Sequence, residues 1–181
     1  MREEWLRHAR GEVLEVGSGL NLPYYPPEVQ RVYGVDPSLE LRRMAAKRAA
    51  TTHAQVELLS QSAEESLPLA DGTIDTVITT WTLCSIPNPS QALQQMKRVL
   101  KESGCLVFVE HGRSPDRQTV VWQDRITSVW KRITGGCHPN RKIDELITVA
   151  RFKIVELKTF YQPGSHPMMY TYQGIAEPYH R

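Results

Sequence analysis

The run Glu15-Val16-Gly17-Ser18-Gly19-Leu20-Asn21 constrains the fold of this chain more than any other stretch. It follows apolar Val13 and Leu14, so it reads as a β-strand over Glu12 to Val16 that ends in a glycine turn opening a helix. Two glycines one residue apart let a backbone approach a ligand closely, because neither carries a Cβ. A helix behind such a turn aims free N–H groups at whatever lies there. The next strand, Arg31 to Val35, ends in Asp36. That carboxylate falls about twenty residues after the turn, the spacing at which an acid meets ribose hydroxyls in nucleotide-binding α/β folds.

The same turn restricts the nucleotide. A dinucleotide fingerprint needs a small residue three positions after its second glycine, for close helix–strand packing. Here Leu22 stands there, followed by Pro23, and no pyrophosphate nest is evident. The chain also has no Gly-Lys-Ser/Thr triplet, which argues against nucleoside triphosphates. An adenosine ligand without phosphates fits best.

Beyond the turn, element types alternate. Ser38 is placed to cap a helix running to about Ala50. Gln55 to Leu59 and the β-branched Ile74 to Thr80 read as strands three and four. Ser90 is expected to cap a helix in which Leu93, Met96, Val99 and Leu100 recur at helical spacing. Cys105 to Val109 is the fifth strand, and Thr119 to about Ile133 a helix with Trp122, Ile126 and Trp130 on one face. A helix over Asp144 to Ala150 and strands at Lys153 to Leu157 and Met169 to Gly174 complete the series. Strand–helix alternation implies a mostly parallel, doubly wound α/β sheet with helices on both faces.

At 181 residues the chain suits one domain, residues 1–181, with a substantial core. A net charge of +2 gives no electrostatic reason to expect nucleic acid or an anionic membrane. No apolar run approaches the roughly 20 residues of a bilayer span, and the N-terminus is too charged for a signal peptide. Three cysteines without Cys-x-x-Cys spacing suggest a reducing compartment, so the expected location is the cytoplasm.

Five segments in order carry a family resemblance: Glu15 to Gly19, Asp36, Gln61-Ser62-Ala63-Glu64, Ala70 to Ile78, and Arg98 to Gly104. The chain resembles the class I S-adenosylmethionine (SAM) methyltransferases, of the type 11 kind. The resemblance implies a Rossmann-like sheet of seven strands whose last strand runs antiparallel to the rest. It implies SAM as cofactor, with S-adenosylhomocysteine as product. Glu15, Gly17, Ser18, Gly19 and Asn21 would form the methionine-side turn, and Asp36 and Pro37 would hold the ribose. Ser62, Ala63 and Glu64 would lie against the adenine, and Thr80 would also contact the cofactor. Relatives carry a longer N-terminal helical segment over the pocket. With a dozen residues before the first strand, either another subunit supplies the lid, making a homo-oligomer, or the site stays more open.

In open α/β sheets ligands sit beyond the carboxyl ends of the strands, so the acceptor is sought after strands four and five. There stand Leu83 and Cys84, then Glu110 and His111. His111 can accept a proton near neutral pH, and Glu110 can contact the acceptor or structure the strand end. The alternative for His111 is a hydrogen bond to the sheet edge. Gly135-Gly136-Cys137-His138-Pro139-Asn140-Arg141 reads as a mobile turn, with Cys137, His138 and Arg141 as acceptor contacts. Trp122, Trp130 and Tyr161 offer aromatic lining, against a simpler reading of both tryptophans as core. The spacing of Cys84, His111, Cys137 and His138 lacks a paired metal-ligand signature, so no metal is expected.

Thr82 to Ile86, Val109-Glu110-His111, Trp122-Gln123 and Gly136-Cys137-His138 look like a methyltransferase-like branch. That branch includes animal thiol S-methyltransferases, whose membrane-anchoring N-terminal segment is not expected here. More distantly, the chain is similar to ubiquinone and menaquinone C-methyltransferases. The implied activity is methyl transfer to a small molecule such as a thiol. The alternatives are C- or O-methylation of a quinol or phenol, and a SAM-binding partner protein without turnover.

Overall fold

The computed structural model describes residues 2–162 and 169–179, with the side chains of Arg2 and Glu3 left aside. Its centre is one seven-stranded sheet. The strands are β1 (Gly11–Val16), β2 (Val29–Val35), β3 (Gln55–Leu59), β4 (Ile74–Thr80), β5 (Leu100–Gly112), β6 (Phe152–Tyr161) and β7 (Tyr170–Pro178). They lie in the order β3-β2-β1-β4-β5-β7-β6, and β7 is antiparallel to both its neighbours. This is the Rossmann-like α/β sheet with an antiparallel last strand that the resemblance implied. The order reverses between β1 and β4, which opens a crevice at their carboxyl ends.

The central strands are apolar because both faces are covered. Neighbouring residues go to opposite cores: Leu14, Val77 and Leu106 to one, Val13, Ile78 and Val107 to the other. The first core also receives Leu93, Met96 and Val99 of α3 (Pro89–Val99) and Ile143 and Ile147 of α5 (Ile143–Val149). The second receives Trp5 and Leu6 of α1 (Arg2–Leu6) and Ala45 of α2 (Leu39–Ala49). Ser38 caps α2 by accepting the Leu41 N–H at 3.3 Å.

Several boundaries differ from the sequence expectation. No α-helix follows the glycine turn. A single 3₁₀ turn, Leu22–Tyr24, stands there, because Pro23, Pro26 and Pro27 lack the N–H groups a continuing helix needs. Asn88, not Ser90, caps α3: Oδ1 accepts the Gln91 N–H at 3.2 Å, and Pro89 takes the first helical position that suits it. Leu100 leaves the helix and opens β5, where it pairs with Ile74. β6 and β7 run longer than their apolar cores suggested, since each extends the other's ladder as far as the Tyr161–Tyr170 pair. Helix α4 (Arg117–Ile133) buries only Thr119 and Gln123.

Candidate functional site: a cofactor cleft and an adjoining acceptor pocket

The crevice beyond β1 and β4 holds a cleft of about 430 Å³. Gly17 and Ser18 line it from the first turn, Asp36 and Pro37 from the end of β2. Ser62 and Ala63 line it after β3, and Thr80 at the end of β4. Thr82 stitches the two central strand ends together, its hydroxyl lying 2.9 Å from the Val16 carbonyl and 3.0 Å from that of Thr80. Gly17 has φ +129° and sits so close that a Cβ would lie 2.9 Å from Thr82 Oγ1. Gly19, at φ +70°, packs on α2, where a Cβ would lie 2.8 Å from that of Ala45. Both positions therefore need glycine.

Asp36 Oδ1 accepts the Ser38 N–H at 2.8 Å, while Arg42 donates to the Asp36 backbone carbonyl at 2.7 Å. Burial raises the Asp36 carboxyl above its ordinary range, more than the Ser38 N–H and Arg42 lower it.

Four residues of the expected cofactor set do not line the cleft, the first being Gly19, packed on α2. Glu15 is buried beneath the turn and braces it: Oε1 accepts the Asn21 N–H at 3.2 Å and Asn21 Nδ2 at 3.1 Å, and Oε2 accepts the Tyr25 hydroxyl at 2.9 Å. Asn21 passes this hold on, donating from Nδ2 to Thr80 Oγ1 at 3.0 Å. Glu64 turns aside, accepting the Ser62 hydroxyl at 3.3 Å and the backbone N–H of Asn88.

A second pocket of about 200 Å³ adjoins the cleft, and Trp81, Ser85 and Thr134 line both. Cys84, His111, Cys137 and Trp130 line the remainder with Pro139 and Met169. Trp81 stacks on His111, with ring centroids 5.7 Å apart and planes 20° from parallel. It holds φ +53°, a sparsely populated conformation for a bulky residue, which turns the chain sharply at the end of β4. Burial leaves His111 Nε2 with no hydrogen-bond partner among the described residues. Cys84 and Cys137 face each other with sulfurs 3.6 Å apart. The contact between them pushes the Cys84 thiol up, with burial adding to it, and pulls the Cys137 thiol down.

The other expected acceptor contacts serve the frame. Leu83 is buried in the core. Glu110 lies wholly buried below the pocket floor, where Oε1 accepts the Thr82 N–H and Oε2 the Cys84 N–H, each at 3.1 Å. Burial raises its carboxyl against the pull of those N–H groups. Arg141 points inward, donating from Nη1 to the carbonyls of Leu83 and Ile86 at 2.6 Å each. The His138 N–H donates to the Cys84 carbonyl at 2.8 Å, and burial lowers its imidazole. Trp122 is a correction to both readings made of it: 60% exposed, it belongs neither to core nor to pocket. Tyr161 spends its hydroxyl on Ser114 and Asp116, 2.5 Å from each. The double glycine caps α4, with the Gly136 N–H donating to the Lys131 carbonyl at 2.8 Å. A Cβ on Gly136 would lie 2.9 Å from the Ser85 carbonyl, so this position holds the pocket edge close.

Sequence reasoning assigned no role to Trp81, Ser85 or Thr134, the shared wall. Its available signal was position: Trp81 directly follows the last residue of β4. Among the described residues, no helix is long and apolar enough to cross a membrane.

Residues 14–108 match the family model described as a methyltransferase domain. Thiol S-methyltransferase TMT1A of Homo sapiens is 31% identical over 169 residues, covering 88% of this chain and 69% of that protein. The chain belongs to the SAM-dependent methyltransferase family. Thiol S-methyltransferase TMT1B of Rattus norvegicus is 37% identical over 153 residues, 83% of this chain. The match spans only 62% of the rat protein's length. A crystal structure of a SAM-dependent methyltransferase from Methanosarcina mazei shares the fold, with a TM-score of 0.72 at 21% identity over 97% of this chain and 96% of that one. SAM is the cofactor of this methyltransferase domain, and the cleft fits it on two counts. The glycine at Gly17 leaves room where a Cβ would crowd Thr82, and a carboxylate stands at the ribose position without a bonded side-chain cation.

Proposed function

We propose that this protein transfers a methyl group from SAM to a small thiol. SAM supplies, when bound, an electrophilic methyl on a sulfonium. Asp36 would accept hydrogen bonds from the ribose hydroxyls, the Gly17–Ser18 backbone would border the amino-acid end, and Ala63 would flank the adenine. Trp81, Ser85 and Thr134 would align acceptor and methyl along one line and exclude water.

One observation carries the acceptor class. The pocket that shares a wall with the cofactor cleft is lined mainly by aromatic rings and sulfurs, and the charged groups beneath it, Glu110 and Arg141, are spent on backbone groups. Such a lining suits a soft, weakly hydrated nucleophile better than a polyhydroxylated one. The relatives named as thiol S-methyltransferases support the same reading. A thiol also needs little activation, because a few per cent is thiolate near neutral pH. Among the described residues His111 is the one imidazole in the pocket wall, and it would position the sulfur.

The test is incubation with labelled SAM and a panel of thiols, phenols and quinols. Labelled thioether from the thiols alone is the expected result. Label on oxygen or carbon acceptors, or on none, would remove the reading.

A further inference from the structure

The pocket wall contains three soft ligand atoms brought together from separate parts of the chain. Cys84 Sγ lies 3.6 Å from Cys137 Sγ, and Cys137 Sγ lies 3.8 Å from His111 Nδ1. One ligand atom from each of the three residues falls within 4.8 Å of the others. Zinc binds thiolate sulfur at about 2.3 Å and imidazole nitrogen at about 2.0–2.1 Å. Tetrahedral angles then put the sulfurs roughly 3.8 Å apart and sulfur and nitrogen roughly 3.6 Å apart. The observed spacings already sit near those edges.

The three residues come from the turn after β4, the end of β5 and the glycine turn after α4. Cys84 and His111 are held from behind directly, and Cys137 through its neighbour His138. Glu110 fixes the Cys84 backbone, the His138 N–H bonds the Cys84 carbonyl, and Trp81 stacks on the His111 ring. Outer supports of this kind orient metal ligands.

We propose that Cys84, Cys137 and His111 bind a zinc-class divalent cation whose fourth position faces the acceptor pocket. Three protein ligands and an open position is the arrangement of a reactive zinc rather than a structural one. The purpose of the site rests on the thiol reading above. An entering thiol takes the fourth position in place of water. A sulfur–metal bond forms, the sulfur–hydrogen bond breaks, and the proton leaves with the released water. The bound thiolate then takes the methyl as a cation, while the electron pair of the broken carbon–sulfur bond stays with the departing sulfur. The product is a neutral thioether, a weaker ligand, which gives way to water again.

The full chain, reduced and freed of metal, is titrated with Zn²⁺ against a chromophoric chelator, and with Co²⁺ in the absence of oxygen. The expected result is one equivalent per chain and a cobalt spectrum with thiolate charge-transfer and tetrahedral bands. Cys137→Ser and His111→Gln should each weaken zinc binding by about 100-fold or more, with SAM affinity retained as the control for folding. Adding a thiol should shift the cobalt charge-transfer band, and adding a phenol should not. No stoichiometric binding, or binding unchanged in both variants, would overturn the site. Thiol methylation at full rate by metal-free protein would overturn its purpose and leave the thiol reading intact. A tetrahedral cobalt spectrum in a protein that methylates no thiol would keep the site and overturn both the thiol reading and the purpose that rests on it.

Discussion

Asp36 shows how one side chain serves two opposed demands. Its carboxyl must be ionised to receive two hydroxyl donors, yet it is buried, and burial raises its pKa. Asp36→Ala should weaken SAM binding by about 1.5–3 kcal/mol, the range of a charge-assisted hydrogen bond; calorimetry with unchanged affinity would count against the role. The stability effect has the opposite sign. A folded-state pKa above the unfolded one adds stability at acid pH, and that contribution is lost as pH rises through the folded value. Asp36→Asn should therefore melt higher than the parent protein at neutral pH without ligand, with the difference closing in acid. Compared in metal-free protein, His111→Ala should lower turnover modestly if its ring only positions a thiol, whereas loss of a general base would cost about 10²–10⁴-fold. At this scale the sequence indicated residue types and positions well and side-chain directions poorly. Gly17 and Asp36 were legible because strand ends and glycine turns have fixed spacing. Glu15, Glu64 and Arg141 sit beside the same crevice but turn toward backbone groups, and nothing in residue order encodes that turn.

Among the elements, the segment between β4 and α3 is the most tightly specified. Glu110 bonds it from below, Arg141 ties two of its carbonyls, and Thr82 joins it to β1. Glu110→Ala removes bonds to a buried charge and should destabilise by about 3 kcal/mol in urea unfolding, with a loosened acceptor pocket. Helix α4 lies at the other extreme. Trp122 and Ile133 are 60% and 72% exposed, so Trp122→Ala should change stability by less than about 0.5 kcal/mol. Its helical spacing was legible. The face it buries was not, because Thr119 and Gln123 take the inward positions that apolar periodicity would give to tryptophan. Gln123 does so by satisfying the backbone, accepting the Ser114 N–H at 3.0 Å and donating to the Gly112 carbonyl at 3.1 Å.

At the level of the whole molecule, the order of the sheet follows from alternation and right-handed crossovers for its parallel part. The insertion of β7 between β5 and β6 does not; family resemblance implied that the last strand runs antiparallel, not where it sits. The structure shows one device that makes the insertion fit. Gly174 stands opposite Phe108 and Leu157, and a Cβ there would overlap the Glu156 carbonyl and approach the Phe108 ring to 2.8 Å. Gly174→Ala should cost about 1–3 kcal/mol in urea unfolding by overpacking, although the site lies on no ligand.

The size of the acceptor pocket has its own consequence. At about 200 Å³ it falls below the roughly 300–1,000 Å³ that enclose a drug-sized molecule. On the thiol reading, a bulky compound would insert only its slender, sulfur-bearing tip past the indole of Trp81, leaving the rest of its body outside. Selection would then act on girth near the reacting atom, so that branching next to the sulfur is penalised while chain length further out goes unread.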